Sequence, residues 1–186
     1  DPLYLIYTSG TTGAPKGVLG DTSALFTYLG RSDCMCRVPG DRVLLCGAVT
    51  WDPSISDVFG TLVGTIDGKD GSGIGARSGG GATLVLERRA RLVTRLDLCV
   101  EDWAGTHVLA TPALWRMVFA ARSGSSIDTS VTEVEHESTV VCDDDRLLSL
   151  RSLQLGGEAW SASEMFQPRN LQILQNIYGT TENVVY

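Results

Sequence analysis

Between Tyr7 and Val18 the chain reads T-S-G-T-T-G-A-P-K-G, and these residue types suit one kind of ligand. Thr8, Ser9, Thr11 and Thr12 supply hydroxyls. Gly10 and Gly13 remove the side chains that would hold a ligand's oxygens away from the backbone N–H groups. Lys16 adds one mobile positive charge suited to a polyphosphate. An apolar, strand-like run from Leu3 to Tyr7 leads into the stretch, and loops that leave a strand commonly carry binding or catalysis. The combination reads as a loop that wraps the phosphates of a nucleotide. A plain surface loop is the alternative, because Gly/Ser/Thr clusters between periodic segments usually are loops. The Walker A loop is excluded on residues. Pro15 before Lys16 has no N–H to give, and Gly17 after it has no hydroxyl for Mg²⁺.

Three further stretches could do chemistry. N-I-Y-G-T-T-E (176–182) places an aromatic, a glycine, hydroxyls and an acid after a strand-like run, and Glu182 offers the hard oxygen that Mg²⁺ prefers. L-Q-L-G-G-E-A-W (153–160) ends a second apolar run on two glycines, which fits either a ligand passing the backbone or a tight turn. In V-T-W-D-P-S-I-S (49–56) an acid, Asp52, follows Trp51. A carboxylate in apolar surroundings is costly unless a cation meets it. Asp52 could also simply cap a helix that starts near Ser54.

Y-T-S-G-T-T-G-A-P-K-G-V and N-I-Y-G-T-T-E together resemble the two nucleotide signatures of the adenylate-forming superfamily: acyl-CoA synthetases, luciferases and the adenylation domains of nonribosomal peptide synthetases. The resemblance implies that Thr8, Ser9, Gly10, Thr11, Thr12, Gly13 and Lys16 hold the β- and γ-phosphates of ATP. It implies that Asn176, Tyr178 and Gly179 meet adenine and that Gly156, Gly157 and Glu158 run along the base. Thr181 would serve the α-phosphate and Glu182 would bind Mg²⁺, which makes these two the catalytic candidates within the chain. In amino-acid-activating relatives an acid at the place of Asp52 binds the substrate's ammonium group. Pro53, Ser56, Leu109, Leu153, Leu155, Ile177, Val185 and Tyr186 follow as candidate pocket lining. The strings W-D-P-S-I, A-T-P-A-L-W-R, L-R-S-L-Q-L-G-G-E-A-W and N-I-Y-G-T-T-E are most similar to the β-alanine-activating branch, acyl-CoA synthetase family 4, with Pro53 suggesting a shifted amine. Two departures stand out. No histidine occurs near Thr22, and Thr180 replaces the proline usual in peptide synthetases.

The elements that must position these residues alternate between short apolar runs and helix-like patterns, which predicts an α/β fold. By the resemblance this is part of the layered αβα N-terminal domain of such an enzyme, incomplete. Strands are expected at 3–7, 42–48, 82–87, 107–110, 152–155 and 171–177, and helices at 22–36, 55–63, 92–103, 112–121 and 162–166. Thr111 before Pro112 has the chemistry of an N-cap followed by proline at the first helical position. Ser161 and Glu164 have capping-box spacing. Residues 65–81, which are glycine-rich, and residues 123–146, which are polar, interrupt the pattern and read as disordered insertions in one partial adenylation domain spanning 1–186. For the first of them a gene-model artefact is the alternative.

At 186 residues and 43% hydrophobic, the chain can bury a core. A net charge of −7 opposes binding to nucleic acid. Five cysteines with no C-x-x-C pair suggest inert thiols in a reducing, cytoplasmic setting rather than disulfides or zinc. No apolar run reaches the roughly 18 residues of a membrane span.

The expected activity is ATP-dependent conversion of a carboxylic acid, specifically an amino acid, to an acyl-adenylate. The acyl group would pass to a carrier-protein phosphopantetheine or to coenzyme A. The family's catalytic lysine belongs to a later domain not found in the chain, so the chain by itself is expected to be inactive. A fatty or aryl acyl-CoA ligase and a protein that only binds nucleotide are the rival readings.

Overall fold

The computed structural model describes residues 1–9, 13–29, 37–63, 65–67, 76–78, 82–120, 129–134, 137–142, 144–160 and 165–179. It divides into two compact units, the first made of 1–41, 47–84 and 178–186, the second of 42–46 and 85–177.

The first unit begins with an antiparallel hairpin of β1 (Pro2–Thr8) and β2 (Lys16–Asp21). Leu5 lies opposite Leu19, and Thr8 opposite Lys16. Alternation along β1 turns Tyr4 and Ile6 inward and leaves Leu3, Leu5 and Tyr7 exposed, the period expected of a half-buried strand. Helix α1 (Thr22–Leu29) starts where the Asp21 carboxylate accepts from the Ala24 N–H at 2.8 Å and the Ser23 hydroxyl at 2.6 Å. The Ser23 hydroxyl and the Ala24 N–H hold the Asp21 carboxyl below its ordinary range. Ile6, Leu25, Leu29 and Ile55 form the apolar cluster of this unit, with Tyr4, Tyr28 and Phe59 packed against it. Ile55 and Phe59 come from α2 (Pro53–Val63).

The second unit is built on a sheet in which β3 (Arg42–Leu44), β7 (His107–Ala110), β10 (Ser152–Gly156) and β12 (Ile173–Ile177) run parallel, in the spatial order β12-β10-β7-β3. Strand β6 (Thr83–Val85) closes the far edge next to β3. Side chains in register meet across the ladder, as where the Gln154 amide donates to Gln175 at 2.8 Å. Helices α3 (Arg89–Trp103) and α4 (Pro112–Ala120) fill the connections. Trp115 on α4 is fully buried, stacks on Phe166 at 4.8 Å and donates its indole N–H to the Phe166 carbonyl. The cluster it belongs to includes Leu44, Leu96, Val100, Val108, Leu147, Leu153 and Leu155.

The mixed α/β architecture with a parallel sheet is the one expected. Strand β7 has the expected bounds, and Thr111 caps α4, its hydroxyl accepting from the Leu114 N–H at 3.2 Å. Helix α3 starts earlier than expected, at Arg89, and carries a kink at Arg95. Phe166, expected at the end of a helix, instead opens β11 (Phe166–Pro168), which pairs with β9 (Glu137–Cys142). The pairing follows from the tertiary partner, since Phe166 and Val140 are brought opposite each other.

Strand ladders lie within both stretches that interrupt the sequence pattern. Strands β4 (Thr65–Asp67) and β5 (Ala76–Ser78) pair within 65–81. In the other stretch β8 (Thr129–Val134) and β9 form an antiparallel hairpin, followed by a 3₁₀ turn at Asp145–Leu147. In sequence, T-S-V-T-E-V and E-S-T-V-V-C are rich in β-branched residues, which favour strands despite the polar average. The predicted capping box at Ser161 and Glu164, and residues 30–36 of the first predicted helix, lie outside the described residues.

Candidate functional site

The proposed phosphate loop is the tip of the β1–β2 hairpin. Strand pairing sets Thr8 directly opposite Lys16, so the two ends of the T-S-G-T-T-G-A-P-K stretch are held together by the ladder. Ser9, Gly13 and Lys16 are exposed there, and Thr8 is half-buried. Among the described residues Lys16 enters no ion pair. Gly13 has φ +82°, a left-handed conformation in which a side chain would be strained although the space around it is open. Gly10, Thr11 and Thr12 lie outside the described residues. The tip thus joins an exposed cation to hydroxyls on a backbone bent by glycine, a donor set that fits the oxygens of a polyphosphate.

In the same unit Asp52, Pro53 and Ser56 stand at the head of α2. Asp52 is 6% exposed and its carbonyl accepts the Ile55 N–H at 2.9 Å, so its backbone belongs to the helix start. The fully buried Ser56 turns its hydroxyl to the Pro53 carbonyl at 2.7 Å. The Asp52 charge is felt by Tyr4 on β1. Burial pushes the Tyr4 phenol up, and the carboxylates of Asp52 and Asp21 push it further.

Sequence reasoning passed over two residues of this region. Arg37 is buried and donates to the Ser56 carbonyl at 3.1 Å and to the Asp57 carboxylate at 2.8 Å. Burial pushes the Asp57 carboxyl up, and the Arg37 guanidinium pulls it back. An acid inside a helix as buried as α2 was the available signal, because carboxylates are rarely fully buried without a partner. Nothing near Arg37 in sequence identifies that partner, which lies 20 positions on.

In the second unit the candidate residues sit at the carboxyl ends of parallel strands, where open α/β sheets bind their ligands. Gly156 ends β10 opposite Ile177 of β12, and a Cβ on Gly156 would lie 2.8 Å from the Ile177 carbonyl oxygen. The two strands therefore approach more closely than a side chain would allow. Gly157 follows with φ +87°, and Glu158 and Asn176 are exposed. Leu109 is buried, while Leu153 and Leu155 are fully buried in the apolar core. Tyr178, 87% exposed, and Gly179 continue the chain after β12 and group with the first unit. Thr181, Glu182, Val185 and Tyr186 lie outside the described residues. Among the described residues no cluster of His, Cys, Asp and Glu could hold a metal ion.

Residues 1–66, which contain the hairpin, its tip and the head of α2, match the family model of AMP-binding enzymes. Over that stretch the chain is similar to AMP-binding enzymes, and its relatives include nonribosomal peptide synthetases. It is 25% identical over 190 residues to bacitracin synthase 1 of Bacillus licheniformis, covering 100% of this chain and 3% of that protein. To the NRPS-like tryptophan epimerase fscC of Fusarium equiseti it is 28% identical over 180 residues, 96% of this chain and 10% of that protein. Among solved structures it is similar in fold to the Vibrio cholerae adenylation domain AlmE in complex with glycyl-adenosine-5'-phosphate. That likeness has a TM-score of 0.68 at 20% identity and covers 99% of this chain and 29% of that one. The chain spans a small part of the length of these relatives. No helix among its described residues is long and apolar enough to cross a membrane.

Proposed function

We propose that the chain is part of an enzyme that activates an amino acid with ATP. The observation that carries this reading is the hairpin tip, where Thr8 and Lys16 face each other across an AMP-binding stretch. In the proposed reaction a substrate carboxylate oxygen attacks the α-phosphorus of ATP. A P–O bond forms, the bond to pyrophosphate breaks, and an acyl-adenylate results. A thiol, from phosphopantetheine or coenzyme A, then attacks the acyl carbon and AMP leaves. Thr8, Ser9, Gly10, Thr11, Thr12, Gly13 and Lys16 would neutralise and orient the β- and γ-phosphates, the electrostatic positioning on which phosphoryl chemistry chiefly depends. Gly156, Gly157, Glu158, Asn176, Tyr178 and Gly179 would hold the base. Mg²⁺, held by Glu182, would supply charge neutralisation at the phosphates, with Thr181 beside it in sequence.

The amino-acid part of the reading rests on Asp52. An acid at this place binds the substrate's ammonium group in the amino-acid-activating enzymes the chain resembles, and Pro53 beside it suggests a shifted amine, β-alanine first. The test is ATP–pyrophosphate exchange by the full-length protein with β-alanine, α-alanine, 2-aminoadipate, propionate and a medium-chain fatty acid. Amino acids should support exchange and propionate should not, and Asp52→Asn should erase that preference while ATP binding persists. Equal or better exchange with propionate or the fatty acid would overturn the amino-acid reading and leave an acyl-CoA ligase.

A further inference from the structure

Arg37 and Asp57 form a pair whose side chains are 3% and 2% exposed, a kind of pair that apolar side chains of similar volume often replace without loss of stability. Its geometry shows what such a replacement would lose. One guanidinium nitrogen reaches the Ser56 carbonyl and the other the Asp57 carboxylate, so a single planar group grips two consecutive residues of α2. The gripped turn is tied to the residues before it. The Ser56 hydroxyl holds the Pro53 carbonyl, the Ile55 N–H holds the Asp52 carbonyl, and the Ser54 N–H holds the Trp51 carbonyl at 2.9 Å. On the C-terminal side the Thr61 hydroxyl holds the Asp57 carbonyl. Rotation or sliding of the helix start would break several of these bonds together.

We propose that Arg37 is a positioning residue for substrate choice: by clamping Ser56 and Asp57 it fixes the first turn of α2, and with it the direction in which the Asp52 carboxylate is presented to the substrate's ammonium group. The inference rests on the reading of Asp52 given above. It adds a residue that touches no substrate and whose loss acts through Asp52. Arginine suits the task where lysine does not, because a rigid fork can serve two acceptors at a fixed separation.

The experiment uses the full-length protein and the amino acid that supports the fastest exchange, with its des-amino analogue as the second probe. Arg37→Met with Asp57→Leu replaces the pair by apolar side chains and should leave the thermal transition and the KM for ATP unchanged. The KM for the amino acid should rise roughly ten-fold or more, since small misplacements of a binding group are expensive, and discrimination against the analogue should fall in step. Asp57→Asn keeps an acceptor oxygen for Arg37 and should restore near-normal values. If the double variant does not fold, Arg37→Lys serves instead: it keeps the charge, loses one of the two bonds, and should raise the same KM. A folded variant, of either kind, with an unchanged amino-acid KM would overturn the proposal. Asp52→Asn run alongside separates the two failures. If it leaves amino-acid preference intact, the underlying substrate reading has failed; if it erases the preference while the Arg37 variants keep it, the positioning role alone has failed.

Discussion

In the first unit the apolar cluster is small, centred on Ile6, Leu25, Leu29 and Ile55, yet the same unit buries Arg37, Asp41, Asp52, Ser54, Ser56, Asp57 and Thr61. In the second the cluster runs from Leu44 to Phe166 through every parallel strand but the outermost, beside a smaller buried polar set of Asp97, Asp144, Ser152 and Gln154. The difference separates two uses of burial. Apolar area stabilises without specifying direction, whereas buried polar groups must each be met by a partner and so fix orientations. The unit that presents Lys16 and Asp52 is the one rich in buried polar groups, and the parallel sheet presents its candidates through backbone at strand ends. Four substitutions test that division.

The largest effect is expected in the sheet-based unit. Trp115→Ala removes a fully buried ring, its stack on Phe166 and its bond to the Phe166 carbonyl. It should destabilise the protein by about 3–5 kcal/mol, measured by urea unfolding. A loss below about 1 kcal/mol would mean that the core of this unit re-forms around the gap and is not the rigid scaffold described.

Next comes Lys16→Ala, which should do the reverse: leave stability alone and raise the KM for ATP in pyrophosphate exchange about ten- to a hundred-fold, the loss of one charge-assisted contact worth about 1.5–3 kcal/mol. An unchanged ATP dependence would remove Lys16 from the site. Gly13→Ala should fall between the two kinds of effect. Its φ of +82° makes a side chain cost about 1 kcal/mol or more in stability, and the distorted tip should weaken ATP use as well. A neutral result on both measures would show that the turn relaxes without cost.

What could be read from sequence follows the same division. Strand β7 and the Thr111–Pro112 helix start were legible because their signals are local: an apolar run of strand length, and a capping hydroxyl before a proline. The phosphate loop was legible from residue types alone, but β2 was not. K-G-V-L-G-D carries two glycines, and it becomes a strand through its register with β1. The β8–β9 hairpin was hidden by an average polarity that outweighed its β-branched residues. Arg37 was invisible for a different reason. Its role is defined by Asp57 and the Ser56 carbonyl, and no periodicity or composition links a residue to partners a helix away.

The smallest expected effect concerns Glu87, just ahead of α3, and it tests whether surface charge contributes to the sheet-based unit at all. Its carboxylate accepts from the Trp103 indole at 3.0 Å, the Arg88 N–H at 2.7 Å and Arg91 at 2.8 Å. Together, the Trp103 bond foremost, these hold its carboxyl at about 2, below the ordinary 4.5. A carboxyl with a depressed folded value stabilises the native state at pH above the unfolded value, and that contribution is lost as pH falls through the folded one. The window therefore runs from about 4.5 down to about 2. Because Arg91 and Asp102 reach solvent beside the partly buried Glu87, salt screens these ion pairs, and the contribution should shrink as ionic strength rises. Glu87→Gln keeps an acceptor for the Trp103 indole but removes the charge. At neutral pH it should be slightly less stable than the parent, and the gap should close as pH falls toward 2. Unfolding by urea at a series of pH values, in low and in high salt, measures this directly. Parallel stability curves for the two proteins across the whole window would show that the Glu87 cluster contributes no stability.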